Sequence, residues 1–237
     1  LNVDVSAALG GFVDPTNSGA QAHTVITGGS GDDKFWTNRG VAATSATNRD
    51  QIDGGAGNNT LVVLNGAIAG NAAITNIQAL ELREQGALGA VDFDAFDANL
   101  ASVLLRDEGA GATTFTLNDL GADLASGGNI VLRHGITGHG VQTVTVNLKA
   151  DTANDTVAIT VENDRNTGTT FNYTIDADVP TPTGKVDADQ GVENVTINDN
   201  DTETNVVTLT SAAEHKGTVT LTGGVAGQSY TVASTLV

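Results

Sequence analysis

The chain contains no cysteine. Disulfides and thiolate metal sites are therefore excluded. An exported chain without disulfides needs another source of stability, and bound metal is one. Methionine is also missing, so Leu1 is not expected to be a translation start, and the sequence reads as a piece or processed product of something longer. No signal peptide is visible. No apolar run approaches the ~20 residues of a membrane-spanning helix. Basic residues are scarce, 10 against 28 acidic ones, for a net charge of −18. That balance argues against nucleic acid, which demands a basic footprint, and against a membrane as partner. Aromatics make up only 4% of the 237 residues, too few for a thick core of large rings.

What remains is Gly, Ala, Thr, Val, Asn and Asp. Such a chain suits thin, regular layers of small β-branched residues in stacked strands. Charged residues are only 16% of the total, so the acidity is clustered rather than spread as a solvated brush. Hard cations are the natural counter-charge for clustered carboxylates.

Residues 1–24 read as an irregular N-terminal segment, 25–74 as glycine–aspartate turns, and 75–237 as a succession of short strands. The strand signals alternate apolar and polar residues: 79–84, 102–108, 113–119, 129–135, 142–149, 155–163, 171–177, 193–199, 205–211, 217–224 and 228–234. Most lie roughly 11–16 residues apart, as in many-stranded β folds. A sandwich would fit that spacing. A β-solenoid fits better, because successive strands look alike ("NVTI", "VVTL", "TVTL") and their links are rich in glycine and aspartate. Two segments depart from the pattern. Phe93, Phe96 and Leu100 fall at helical spacing and predict a short helix or turn. The proline-bearing segment 176–191 predicts an excursion or a boundary, and 37–49 reads as a polar surface loop.

The densest chemistry is in "GGSGDDKFW", Gly28 to Trp36. It fills every defined position of G-G-x-G-x-D-x-U-x, where U is a large apolar residue: Gly28, Gly29, Gly31, Asp33 and Phe35. A second copy has Gly54, Gly55, Gly57 and Leu61, with Asn59 where Asp is expected. The glycines are expected to take φ > 0 and turn consecutive carbonyls inward. Carbonyl and carboxylate oxygens together make a cage suited to Ca²⁺. Each turn offers half a cage and the next completes it, so metal binding becomes folding energy. The expected ligand set is Gly29, Gly31, Asp33, Gly55, Gly57 and Asn59. Asp50 and Asp53 are expected to supply the charge that Asn59 lacks.

Residues 25–64 resemble the nonapeptide repeats of the repeats-in-toxin (RTX) family, secreted proteins with a calcium-bound parallel β-roll. Copies in that family stack 18 residues apart. Here the copies start 26 residues apart, and a loop inserted in 37–49 accounts for the excess. More broadly, "DQIDGGAGNNTLVV", "TNIQALEL" and the Thr/Val strands that follow resemble calcium-dependent bacterial S-layer proteins of the Caulobacter type. The resemblance implies an all-β parallel β-solenoid or β-roll with glycine–aspartate calcium-binding turns. It implies an extracellular structural protein, exported by type I secretion, that assembles with itself into a surface lattice or matrix with Ca²⁺ as cofactor. Self-association in a lattice or filament is the expected partnership, with cell-surface polysaccharide as a second partner. The same solenoid could instead serve as an RTX adhesin stalk or binding module, or as a carbohydrate-active β-helix enzyme.

Other candidates carry a plainer reading beside the functional one. Asp199 and Asp201 alternate in "NDNDTE" and are added to the calcium candidates. Asp176 with Asp178, and Asp187 with Asp189, repeat the spacing but also suit turns. Asp92, Asp94 and Asp97 could form an acid/base set, yet capping a short helix explains them more simply. His23, His134, His139 and His215 lack zinc spacing. Trp36 reads as an anchor rather than a sugar platform. Asn-x-Ser/Thr sequons at Asn58, Asn154, Asn172, Asn194 and Asn200 arise from composition and predict no glycosylation. No nucleophile elbow occurs, and no catalytic residue is assigned.

Overall fold

The computed structural model describes residues 2–4, 12–13, 24–38, 40–45, 47–84, 88–107, 113–134, 142–150, 152, 154–163, 171–178, 192–200, 205–210, 218–224 and 227–232. The fold is a parallel β-solenoid. The chain forms two compact units, Leu1–Leu104 and Leu105–Val237.

In the first unit, Asn2–Asp4, Val25–Thr27, Gln51–Asp53 and Ala73–Thr75 lie side by side in parallel. A second sheet runs in parallel through Phe12–Val13, Lys34–Thr37, Thr60–Val63 and Ala79–Glu84. Gly66–Ile68 pairs with Leu88–Asp92 on a third face. Small apolar residues repeat inward, so each strand stacks on its counterpart one coil later. Ile26, Ile52 and Ile74 make one buried column, and Phe35, Leu61 and Leu80 another. Burying one such side chain is worth roughly 1.5–3 kcal/mol.

The segment 37–49 is not a plain loop. It contains a small antiparallel hairpin, Ala43–Ser45 with Asn48–Arg49. This accounts for the long first coil, in which Asp33 and Asn59 stand 26 residues apart, whereas Asn59 and Gln78 on the next are 19 apart. The predicted helix or turn after Val91 is one turn of 3-10 helix, Phe93–Ala95. The Asp92 side chain caps it, accepting from the Asp94 N–H at 3.0 Å, and the Phe93 and Phe96 rings lie 5.7 Å apart.

In the second unit the strands alternate between two parallel sheets. One runs Thr113–Leu120, Gln142–Leu148, Phe171–Asp178, Asn205–Thr210 and Ser229–Val232. The other runs Ile130–His134, Thr156–Asn163, Asn194–Asp199 and Thr218–Gly223. Strict alternation places every second side chain inside, as in Gln142–Leu148, where Val144, Val146 and Leu148 are buried. Coil length varies with the links. Asn118 and Asn147 are 29 residues apart, Asp155 and Glu193 38, and Asn198 and Thr222 24. Of the segment 176–191 singled out in the sequence, residues 176–178 end the strand Phe171–Asp178, and 179–191 lie outside the described residues. A five-residue helix, Ala122–Ser126, was not expected from the sequence.

Candidate metal centre

Stacking two coils brings the two glycine motifs into register. The Gly28 N–H donates to the Asp53 carbonyl at 2.7 Å, the Ala56 N–H to Gly29 at 3.0 Å and the Thr60 N–H to Asp33 at 2.8 Å. The Asp32 carboxylate accepts the Asn58 N–H at 2.7 Å. The glycines serve two different ends. Positive φ among them is confined to the second copy, at Gly55 (75°) and Gly57 (95°). In the first copy, and at Gly54 of the second, the requirement is closeness. A Cβ on Gly28 would lie 2.2 Å from the Gly54 carbonyl oxygen, and one on Gly54 would lie 2.1 Å from that of Asn76. The expectation of φ > 0 throughout is therefore corrected: turn-on-turn contact, not backbone handedness, demands glycine at Gly28 and Gly54.

A ladder of side-chain oxygens climbs these turns. The Gly29 N–H donates to Asp33 Oδ2 at 2.6 Å, the Asp33 N–H to Asn59 Oδ1 at 2.8 Å, and the Asn59 N–H to Gln78 Oε1 at 2.6 Å. Asp33 and Asn59 are both buried, at 2% and 0% exposure. They differ in what faces the next carbonyl. Asn59 Nδ2 donates to the Asn76 carbonyl at 2.9 Å. One coil back, the corresponding place holds Asp33 Oδ2 and the Gly54 carbonyl oxygen, 2.8 and 2.2 Å from the same point beside Gly28. Both are acceptors. Asp33 Oδ1 is buried as well and has no hydrogen-bond partner among the described residues. A buried carboxylate oxygen without a partner costs roughly 1–3 kcal/mol or more. A cation bound by Asp33 and the Gly54 carbonyl would remove that cost, and oxygen donors suit Ca²⁺. The residues at Asp33 thus fit the ion, whereas at Asn59 an amide N–H already makes the contact.

The remaining candidates are spread over the coils. Gly29 and Gly31 stand beside Asp33, with their carbonyls turned toward the next coil at Ala56 and Gly57. The buried Asp50 carboxylate accepts from the Thr24 N–H at 2.7 Å and the Ala42 N–H at 2.8 Å, tying the hairpin to the coil. Asp53 Oδ1 accepts from the Gly55 N–H at 3.0 Å and from Asn76 Nδ2 at 2.8 Å. Asn76 has φ 55° and replaces glycine in the third turn. Its N–H donates to Asp97 Oδ2 at 2.9 Å, so an asparagine–aspartate ladder continues the stack where the glycines end. Gln78 and Asn76 were missed in the sequence because neither belongs to a repeat. Only the side-chain carbonyl in "TNIQ" hinted at them.

In the second unit, Asp199 is buried at a corner. It accepts from Asn205 Nδ2 at 3.0 and 3.2 Å and from the Tyr230 hydroxyl at 3.0 Å. Burial first, then the hydrogen bond and negative charge of Asp199, push the Tyr230 phenol up to about 12. Asp201, Asp187, Asp189, Glu203, His23, His139 and His215 lie outside the described residues, and Asp176 and Asp178 are placed only as backbone of a strand.

Trp36 is half-buried, with Lys34 Nζ 5.1 Å and the Arg83 guanidinium 4.8 Å from its ring centre. Glu81 joins the two cations, 3.2 Å from Lys34 and 2.6 Å from Arg83. Burial raises the Glu81 pKa, but the Arg83 and Lys34 hydrogen bonds and charges outweigh it and hold the carboxyl below its ordinary range.

No family model matches the chain, and no curated protein or solved structure matches it.

Proposed function

We propose that the chain is an extracellular calcium-dependent structural protein whose coils stiffen on binding Ca²⁺ and which assembles with itself into a surface layer or matrix. The observation that carries this reading is the pair of facing acceptors at Asp33 and Gly54, with Asp33 Oδ1 buried and unpartnered. Asp33 and the Gly54 carbonyl would hold the ion. When bound, it supplies positive charge between two coils of an acidic chain. The chain's own residues do the rest. Gly28 lets the turns approach, and the Gly29 N–H orients the carboxylate. The net charge of −18 supports the same reading, since repulsion among carboxylates disfavours compaction until counter-ions bind.

The test is electron microscopy and light scattering of the purified chain in millimolar calcium and then in chelator. The expected result is ordered sheets or fibres that dissolve on chelation. A monomer unchanged by either condition would overturn self-assembly and leave a stalk-like module instead.

A further inference from the structure

The last described coil of the second unit has open inner columns. Parallel register lines up Ile130, Ile159, Ile197 and Leu221. The first three are buried, at 0%, 0% and 2% exposure, whereas Leu221 is 38% exposed. The column beside it breaks at the same level: Val157 and Val195 are buried, and Val219 is half-buried. On the other sheet of the unit Val207 is buried and its register partner Tyr230 half-buried. Among the described residues, no strand pairs with the far edge of Thr218–Gly223 or of Ser229–Val232.

Two observations separate these edges from ordinary ones. Edge strands are usually blunted by charge, proline or a bulge, and terminal repeats by a polar cap. Thr218–Gly223 and Ser229–Val232 contain neither charge nor proline, and they pair with Asn194–Asp199 and with Val206 to Leu209 without a break in register. The second observation is the wider absence of charge. Residues 217–237 contain no Asp, Glu, Lys or Arg, in a chain whose net charge is −18.

These features select the occupant. A row of unpaired N–H and C=O groups is satisfied by another strand. Two such rows on one coil are satisfied together by a partner that presents two strands at the same separation, which is another solenoid coil. A basic protein drawn to the acidic chain finds no carboxylate here. Two copies of an acidic chain repel, but a twofold contact sets one patch against itself, and this patch has no charge to repeat. Strand length decides which coil fits. Thr218–Gly223 has six residues and Ser229–Val232 four. Asn2–Asp4 and Phe12–Val13, the edge strands of the first unit, have three and two, and Asp4 adds a charge. The same coil of a second copy matches strand for strand. We propose that two copies of this chain join through Thr218–Gly223 and Ser229–Val232, each strand antiparallel to its own counterpart, with Leu221 covered at the seam. The contact rests on the self-association proposed above, but it needs no calcium.

The test is sedimentation velocity of the whole chain in chelator, over a range of concentrations. A dimer is expected. Leu221→Lys is expected to weaken it at least tenfold, while Thr196→Lys, one coil back on the same sheet, leaves it intact, with circular dichroism confirming both folds. The chain has no cysteine, so Thr220→Cys carries a single thiol, and a short bis-maleimide should join two copies of that variant. A folded monomer in chelator would overturn the proposal, even if calcium then drives sheets, and the calcium-dependent reading would survive it. A dimer indifferent to Leu221→Lys would overturn it too. So would an open-ended series of oligomers that Thr220→Cys does not cross-link, the mark of head-to-tail contact. A dimer sensitive to Leu221→Lys that forms nothing larger in calcium would uphold the contact and sink the surface-layer reading.

Discussion

Asp33 and Asn59 occupy the same place one coil apart and differ by one atom type, which makes them a matched experiment. Asp33→Asn would put an amide donor opposite the Gly54 carbonyl only by giving up the Gly29 N–H bond to Oδ2, whereas beside Asn59 the Gly55 N–H is held by Asp53. In chelator the relief of the acceptor pair and the loss of that bond offset each other, so this variant is expected to stay within about 1 kcal/mol of wild-type stability. It should also lose its calcium response. Asn59→Asp would face a carboxylate oxygen to the Asn76 carbonyl, and is expected to destabilise by about 1–3 kcal/mol in chelator and to regain stability in calcium. Thermal unfolding in both buffers checks the pair, and an Asp33→Asn chain that keeps its calcium response would contradict the acceptor-pair argument. Tyr230 offers a second residue-scale test. Its pKa rises from 10.0 to about 12, so the protonated phenol is favoured by folding. That contribution is fully present below pH 10.0 and is lost as pH rises through about 12. Absorbance titration should show one high-pH tyrosine transition that disappears in Tyr230→Phe. A single transition near the ordinary value for both tyrosines would refute it.

Coil-on-coil contact at the turns is the property of the element, not of any one residue. Gly28→Ala or Gly54→Ala would push a Cβ to within 2.2 Å of a backbone carbonyl oxygen. Neither backbone can move without breaking the Gly28–Asp53 or Gly54–Thr75 hydrogen bonds, at 2.7 and 2.9 Å. Each substitution is expected to cost more than about 3 kcal/mol, in the range of strained or overpacked sites, and urea unfolding measures it. A cost below ~1 kcal/mol would mean the turns are not in contact. The strands themselves were legible at this scale. Alternation located each of the eleven strand signals after residue 75, because period two is written directly into Val/Thr sequences. Leu88–Asp92 and Ala122–Ser126 were not legible. The first is too rich in glycine and alanine to alternate, and the second is too short to show a helical period.

For the molecule as a whole, the expected signature is linkage between calcium and unfolding. An ion that binds the folded chain alone stabilises it by about 2.7 kcal/mol at a hundred times its Kd. Tm should therefore climb with the logarithm of calcium concentration at constant ionic strength. Magnesium should act weakly, since it demands tighter octahedral geometry. Equal effects of both ions would indicate screening of the −18 charge rather than a site.

Sequence alone determined the class of the fold and the place of the acidic turn. Alternation, glycine spacing and the absence of cysteine and large rings are local facts, and they leave stacked thin strands as the economical way to bury small side chains. Register was beyond its reach. Whether Asp33 meets an amide or a carbonyl, and whether Ile130, Ile159, Ile197 and Leu221 fall into one column, depends on how many residues each coil consumes. Coil length is set by hairpins and links with no period of their own. Only the closed coils, each strand paired with one 19 to 38 residues away, bring those distant positions together.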